Sequence, residues 1–123
     1  METIVKKVLP IAGKVLVALP ALFFGIGHLS NGGQMAAMVP VPGGVFWVYF
    51  TGICLIAGAV GLFIPKLAQL AGALLGVLIL IFAFSIHLPA INGEHGQEHL
   101  MLFFKDLGIA GGAWLVAVLA SKS

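Results

Sequence analysis

Arginine is absent from this chain, so all six of its cationic side chains are lysines. Without a guanidinium fork there is no bidentate clamp for phosphate. The net charge of +2 is also too small to mark a nucleic-acid partner. Cysteine is nearly absent: Cys54 stands alone inside an apolar run. That excludes an intramolecular disulfide and any paired-thiol redox mechanism, and leaves Cys54 as a small packing residue. Charge of either sign is scarce, at 8% of residues, where a soluble domain carries about 25%. Period-two alternation is missing as well, and a lone hairpin or open sheet cannot satisfy its backbone in lipid.

What the chain does have is apolar length. Of its 123 residues 61% are hydrophobic, and the mean hydropathy is +1.17. A domain this small has too much surface to cover with so little polarity in water, so the chain reads as an integral membrane protein whose first partner is the lipid bilayer. A spanning helix takes about 20 apolar residues, and four such segments are present, at about 8–27, 45–64, 67–86 and 99–120. The expected fold is an all-α, four-transmembrane-helix antiparallel bundle forming a single domain. METIVKK followed by apolar residues resembles a secretory signal, but the run continues to Ile26. It reads as a first membrane helix that also directs insertion. Pro65-Lys66 leaves so short a break that the second and third segments must be adjacent and opposed, and Pro89 is expected to stop the third.

Lysine placement orients the chain. Lys6, Lys7 and Lys14 precede or enter the first span, Lys66 lies between the second and third, and Lys122 is near the end. An even number of spans puts them all on one side, which the positive-inside rule makes cytoplasmic, together with both termini. The segments His28 to Gly44 and Leu88 to Glu98 then face outward. Lys14, about 9 Å beyond the start of its helix, is within reach of the headgroups by snorkelling.

Two GxxxG patterns, Gly72 to Gly76 and Gly108 to Gly112, let backbones approach closely in lipid. They can hold the four helices together or form a homodimer face. Phe46, Trp47, Tyr49 and Phe50 mark one membrane border, and Trp114 is expected to act as another interfacial anchor.

Polar chemistry gathers between His87 and Asp106, in HLPAINGEHGQEHLMLFFKD, which holds three of the four histidines and three of the four acidic residues. With His28 at the end of the first span, the four histidines fall on one outer layer. His95 and His99 are four apart, which on a helix is metal-ligand spacing, and Glu94 and Glu98 repeat it one position earlier. His28, His87, His95 and His99 are therefore candidate ligands for Zn, Cu or Fe, and two of them could hold haem. Met35 and Met38 would add sulfur on the same face. The alternatives are wet boundary histidines bonded to loop carbonyls, or proton transfer, since histidine titrates near neutrality. Lys105 and Asp106 lie deeper, where a charge costs a few kcal/mol, so both are expected to turn inward and find partners. They sit on neighbouring stripes, His99 with Asp106 and Glu98 with Lys105. Two uses stay open: a relay from His99 to Asp106 with Lys105 beside it, or a Lys–Asp pair that neutralises itself and fixes packing.

FFGIGHL at the end of the first span, MVPVPGG before the second and FFKDLGIAGGAWL in the last resemble the DoxX-like family of small four-helix membrane proteins. The resemblance covers nearly the whole chain. It implies a multi-pass protein of the bacterial cytoplasmic (inner) membrane, linked as an accessory subunit to a quinone-linked or respiratory redox enzyme. His28 and the Lys105-Asp106 pair are the positions it carries over. On this reading His28, His87, Glu98, His99, Lys105 and Asp106 contact a ligand such as a quinone, or move protons. No self-sufficient catalytic signature accompanies them. A non-enzymatic structural or assembly protein, and a metal-binding or small-solute transport protein, are the competing readings.

Overall fold

The computed structural model describes residues 1–33 and 44–122. Met35, Met38 and most of the MVPVPGG motif lie outside them. The described residues form helices and turns only. Four helices organise them: α1 (Ile4–Ser30), α2 (Val45–Gly61), α3 (Ala68–Ala90) and α4 (Gly96–Ser121). Of these, α1, α3 and α4 are long and apolar enough to cross a membrane. The chain is accordingly an all-α protein of membrane type.

The helix limits differ from expectation for local reasons. α2 has 17 residues rather than 20, about 25 Å of rise against a hydrocarbon core of about 30 Å. It begins at Gly44, whose φ of 48° only glycine adopts readily. It ends because Pro65 brings no N–H to continue the ladder. Phe63 N–H bonds back to Val60 O at 3.0 Å and Ile64 N–H to Gly61 O at 3.1 Å, tightening the chain into the turn before α3.

α3 does the opposite and runs through Pro89 to Ala90. Residues Ala83–His87 form a π-helical turn, with the Leu88 N–H bonded five residues back to Ala83 O. An α-helix would require the missing Pro89 N–H to meet Ser85 O, and the proline ring would clash there. One widened turn absorbs the mismatch. The same device opens α1, where Ile4–Val8 is π-helical ahead of Pro10.

α3 packs most extensively on α4, and α1 on α2. The buried core is built largely of alanine, including Ala18, Ala21, Ala59, Ala83, Ala110 and Ala113, with Leu55, Leu62, Leu75 and Ile79 as its largest enclosed side chains. Small residues are what packing in lipid selects, since burying leucine gains little over leaving it among acyl chains. A Cβ at Gly25 would stand 2.8 Å from Gly52 O, and one at Gly52 would stand 2.7 Å from His28 Cβ. α1 and α2 therefore touch backbone to backbone beside His28. A Cβ at Gly72 would meet Ala113 O at 2.7 Å, and one at Gly76 would strike the Trp114 indole. These two glycines pack against α4 inside the chain. Gly112 turns toward Val17 of α1, and Gly108 alone of the four meets nothing within 4 Å. The Trp114 Nε1–H donates to Ala73 O of α3 at 3.1 Å.

Candidate functional site

The polar site lies where the last turns of α3 meet the first three turns of α4. His87 is delivered by the π-turn, and His99 and Asp106 are seven residues apart on one stripe of α4. The His87 ring stands between them. Its Nδ1 is 3.1 Å from His99 Nδ1, and its Nε2 is 3.4 Å from Asp106 Oδ2. The two contacts use opposite edges of one imidazole, so the three side chains form a line across the helix pair.

Asp106 is 5% exposed and is the sole buried polar or charged residue among those described. It sits ten residues beyond Gly96, about 15 Å along α4. A carboxylate so placed needs a partner, and His87 supplies it. The 3.4 Å separation is slightly longer than a formed N–H···O bond. The Nδ1–Nδ1 contact requires one ring to donate and the other to accept. With Asp106 ionised, the consistent assignment puts the His87 proton on Nε2 facing the carboxylate and the His99 proton on Nδ1.

Lys105 departs from expectation. Consecutive residues on a helix point about 100° apart, so it cannot follow Asp106 toward α3. It is an exposed residue, and its Nζ lies 4.2 Å above the ring of Phe24 on α1. Among the described residues, the side chain that meets the Asp106 carboxylate is His87 and not Lys105.

His28 belongs to a neighbouring group. Its Nδ1–H donates to Phe24 O at 2.7 Å, and its ring stacks on Phe82 of α3 with centroids 5.7 Å apart. A carbonyl can only accept, so Nε2 is the ring nitrogen left over. Phe24 therefore meets both His28 and Lys105, a role that sequence spacing signals only by placing it four residues before His28.

The expected metal layer is not assembled. His95 is the N-cap of α4, with φ −109° and ψ 40°, so it does not share a helical face with His99. It faces Glu98 at 4.0 Å, both side chains well exposed. Gly96 makes this possible: it packs so closely on Ile91 O that no side chain would fit. Among the described residues, no three of His, Cys, Asp or Glu are grouped to hold a metal ion. Glu98 is thus on the wet rim, apart from the His87 line.

Two apolar hollows lie elsewhere. One, of about 400 Å³, is lined between α2 and α3 by residues including Cys54, Gly58, Leu70, Leu74 and Leu78. A smaller one of about 160 Å³ lies between α1 and α2 around Leu19, Leu22 and Phe63. No residue of the polar line borders either. No protein-family model matches the chain, and neither a curated protein nor a solved structure matches it.

Proposed function

We propose that the chain is a four-span antiparallel bundle of the bacterial inner membrane with both termini cytoplasmic. Its role on this reading is that of an accessory subunit in a quinone-linked or respiratory redox system. The lysine distribution and the DoxX-like resemblance support the placement. The observation that carries the functional reading is the line His99–His87–Asp106 in an otherwise apolar helix pair. Two imidazoles and a buried carboxylate in contact are groups that exchange protons, and reduction of a quinone to a quinol consumes two protons at the membrane border. A partner enzyme supplies the electrons, since no redox group is implied by these residues. Lys105, exposed beside the line, is placed to meet a carbonyl or anionic oxygen of a bound headgroup.

Decylubiquinone titrated into the purified protein in detergent tests this. Saturable binding, weakened at least tenfold by His87→Phe and by Lys105→Met, is expected. Partitioning that never saturates, equal in wild type and both variants, would overturn it.

A further inference from the structure

The line His99–His87–Asp106 has a direction and an end. His99 is half-buried near the start of α4, beside the exposed Glu98 and His95. Asp106 is one turn or more deeper and enclosed. Below Asp106 the buried residues of α4 are Ala110, Ala113, Val116 and Ala117. Those of α3 below His87 are Ala83, Ile79, Gly76, Leu75, Gly72 and Ala68. None of them carries a proton. On α1 the titratable side chain after His28 is Lys14, about 21 Å away along the helix. On α4 it is Lys122, about 24 Å from Asp106. On α2 the titratable side chains are Tyr49, packed against Gly32 at the border, and Cys54, in the apolar hollow. Lys105 and His28 flank the line from α4 and α1, but neither continues it downward.

We propose that His99, His87 and Asp106 form a proton-loading site that exchanges protons with one face of the membrane and does not conduct them across. The step balances without an oxidant or reductant. His99 enters as an imidazolium and gives its Nδ1 proton to His87 Nδ1, while the Nε2 proton of His87 passes to Asp106 Oδ2. An imidazolium, an imidazole and a carboxylate become two imidazoles and a carboxylic acid. Charge is cancelled inside the bundle, and no net charge moves through the apolar half of the protein. The transfer leaves His87 with its proton on Nδ1. A second proton cannot follow until the first returns or is handed on, so the site loads one proton at a time. This deepens the proposed function by saying where a ligand's proton is held, yet its test needs no quinone.

The test uses full-length protein in liposomes. With histidine labelled in nitrogen-15, through-hydrogen-bond coupling between His87 Nδ1 and His99 Nδ1 is expected. Infrared spectroscopy on a rapid acid step should show a protonated-carboxyl band that Asp106→Asn abolishes. His87→Gln keeps a hydrogen-bonding side chain that cannot pass a proton, and should slow that band at least tenfold, as should His87→Phe. A pH dye inside the vesicles should respond no faster than in empty liposomes. Absent nitrogen coupling, or a band equally fast in His87→Gln, would overturn the relay. Dye acidification several-fold faster than in empty liposomes, and lost in Asp106→Asn, would overturn the closed end. Failure of decylubiquinone to bind while the carboxyl band behaves as described would reject the quinone reading alone.

Discussion

Lys105 and Asp106 are adjacent in the chain and serve different helix contacts: Asp106 meets His87 of α3 at 3.4 Å, whereas Lys105 lies over Phe24 of α1 at 4.2 Å. Their opposite charges do not pair. Asp106 ties α4 to α3 and Lys105 ties it to α1, so one Lys-Asp step joins both neighbours of the last helix. The stacking of His28 on Phe82 closes the same triangle from α1 to α3. This end of the helix group is thus held by polar and aromatic contacts, while the rest is held by small-residue packing.

This arrangement ranks two coupling energies. Removing the partner of a buried carboxylate leaves a stranded charge, so a double-mutant cycle between His87→Ala and Asp106→Ala should give about 2 kcal/mol. The cycle between Lys105→Met and Asp106→Ala should give no more than half of that, because the lysine contributes mainly a cation–π contact of about 0.5–1 kcal/mol. Reversible unfolding in mixed detergent micelles reads both. A larger coupling for Lys105 than for His87 would show that the two neighbours pair after all.

Much of this was legible in the residues. Scarce charge and long apolar runs pointed to a helical membrane protein, and Pro65-Lys66 located the tight turn between α2 and α3. The depth of Asp106 correctly marked it as needing a partner. The identity of that partner was hidden, because His87 reads as a rim residue if Pro89 ends the helix. The π-turn at Ala83–His87 instead carries α3 past the proline and presents His87 to α4. His95 misled for the converse reason: its spacing from His99 has meaning only on a helix, and the helix begins one residue after it. Trp114 and Phe24 were missed because an indole bonded to a helix carbonyl, and a ring shared by a lysine and a histidine, are tertiary facts with no local pattern.

The glycine patterns give a second prediction. Gly72 faces the Ala113 carbonyl across the α3–α4 contact, and backbone cannot move aside as a side chain end can. Gly72→Val should therefore separate the helices and cost about 2–3 kcal/mol, with the His87 contacts to α4 weakened in the same variant. Gly108, with open space around its Cα, should accept alanine within about 0.5 kcal/mol. Detergent-unfolding midpoints of the two variants make the comparison. A Gly72→Val protein as stable as wild type but shifted in oligomeric state would place that glycine at an interface between copies instead.

Proline 89 has a role that no contact of its own side chain reveals. It lacks the N–H that Ser85 O would otherwise accept, and the helix answers with five-residue spacing between Leu88 N–H and Ala83 O. Each residue of an α-helix turns by about 100°, so the extra residue in that turn sets the direction in which His87 emerges. Pro89→Ala restores the donor and removes the ring clash, which lets α3 relax to regular α geometry. The helix should keep or gain stability, by up to about 1 kcal/mol, while His87 swings off the line between His99 and Asp106. Nitrogen-15 spectra should then lose the coupling between His87 and His99, with overall helix content and unfolding midpoint retained. If the coupling survives in Pro89→Ala, packing against α4 rather than the proline is what holds the π-turn in place.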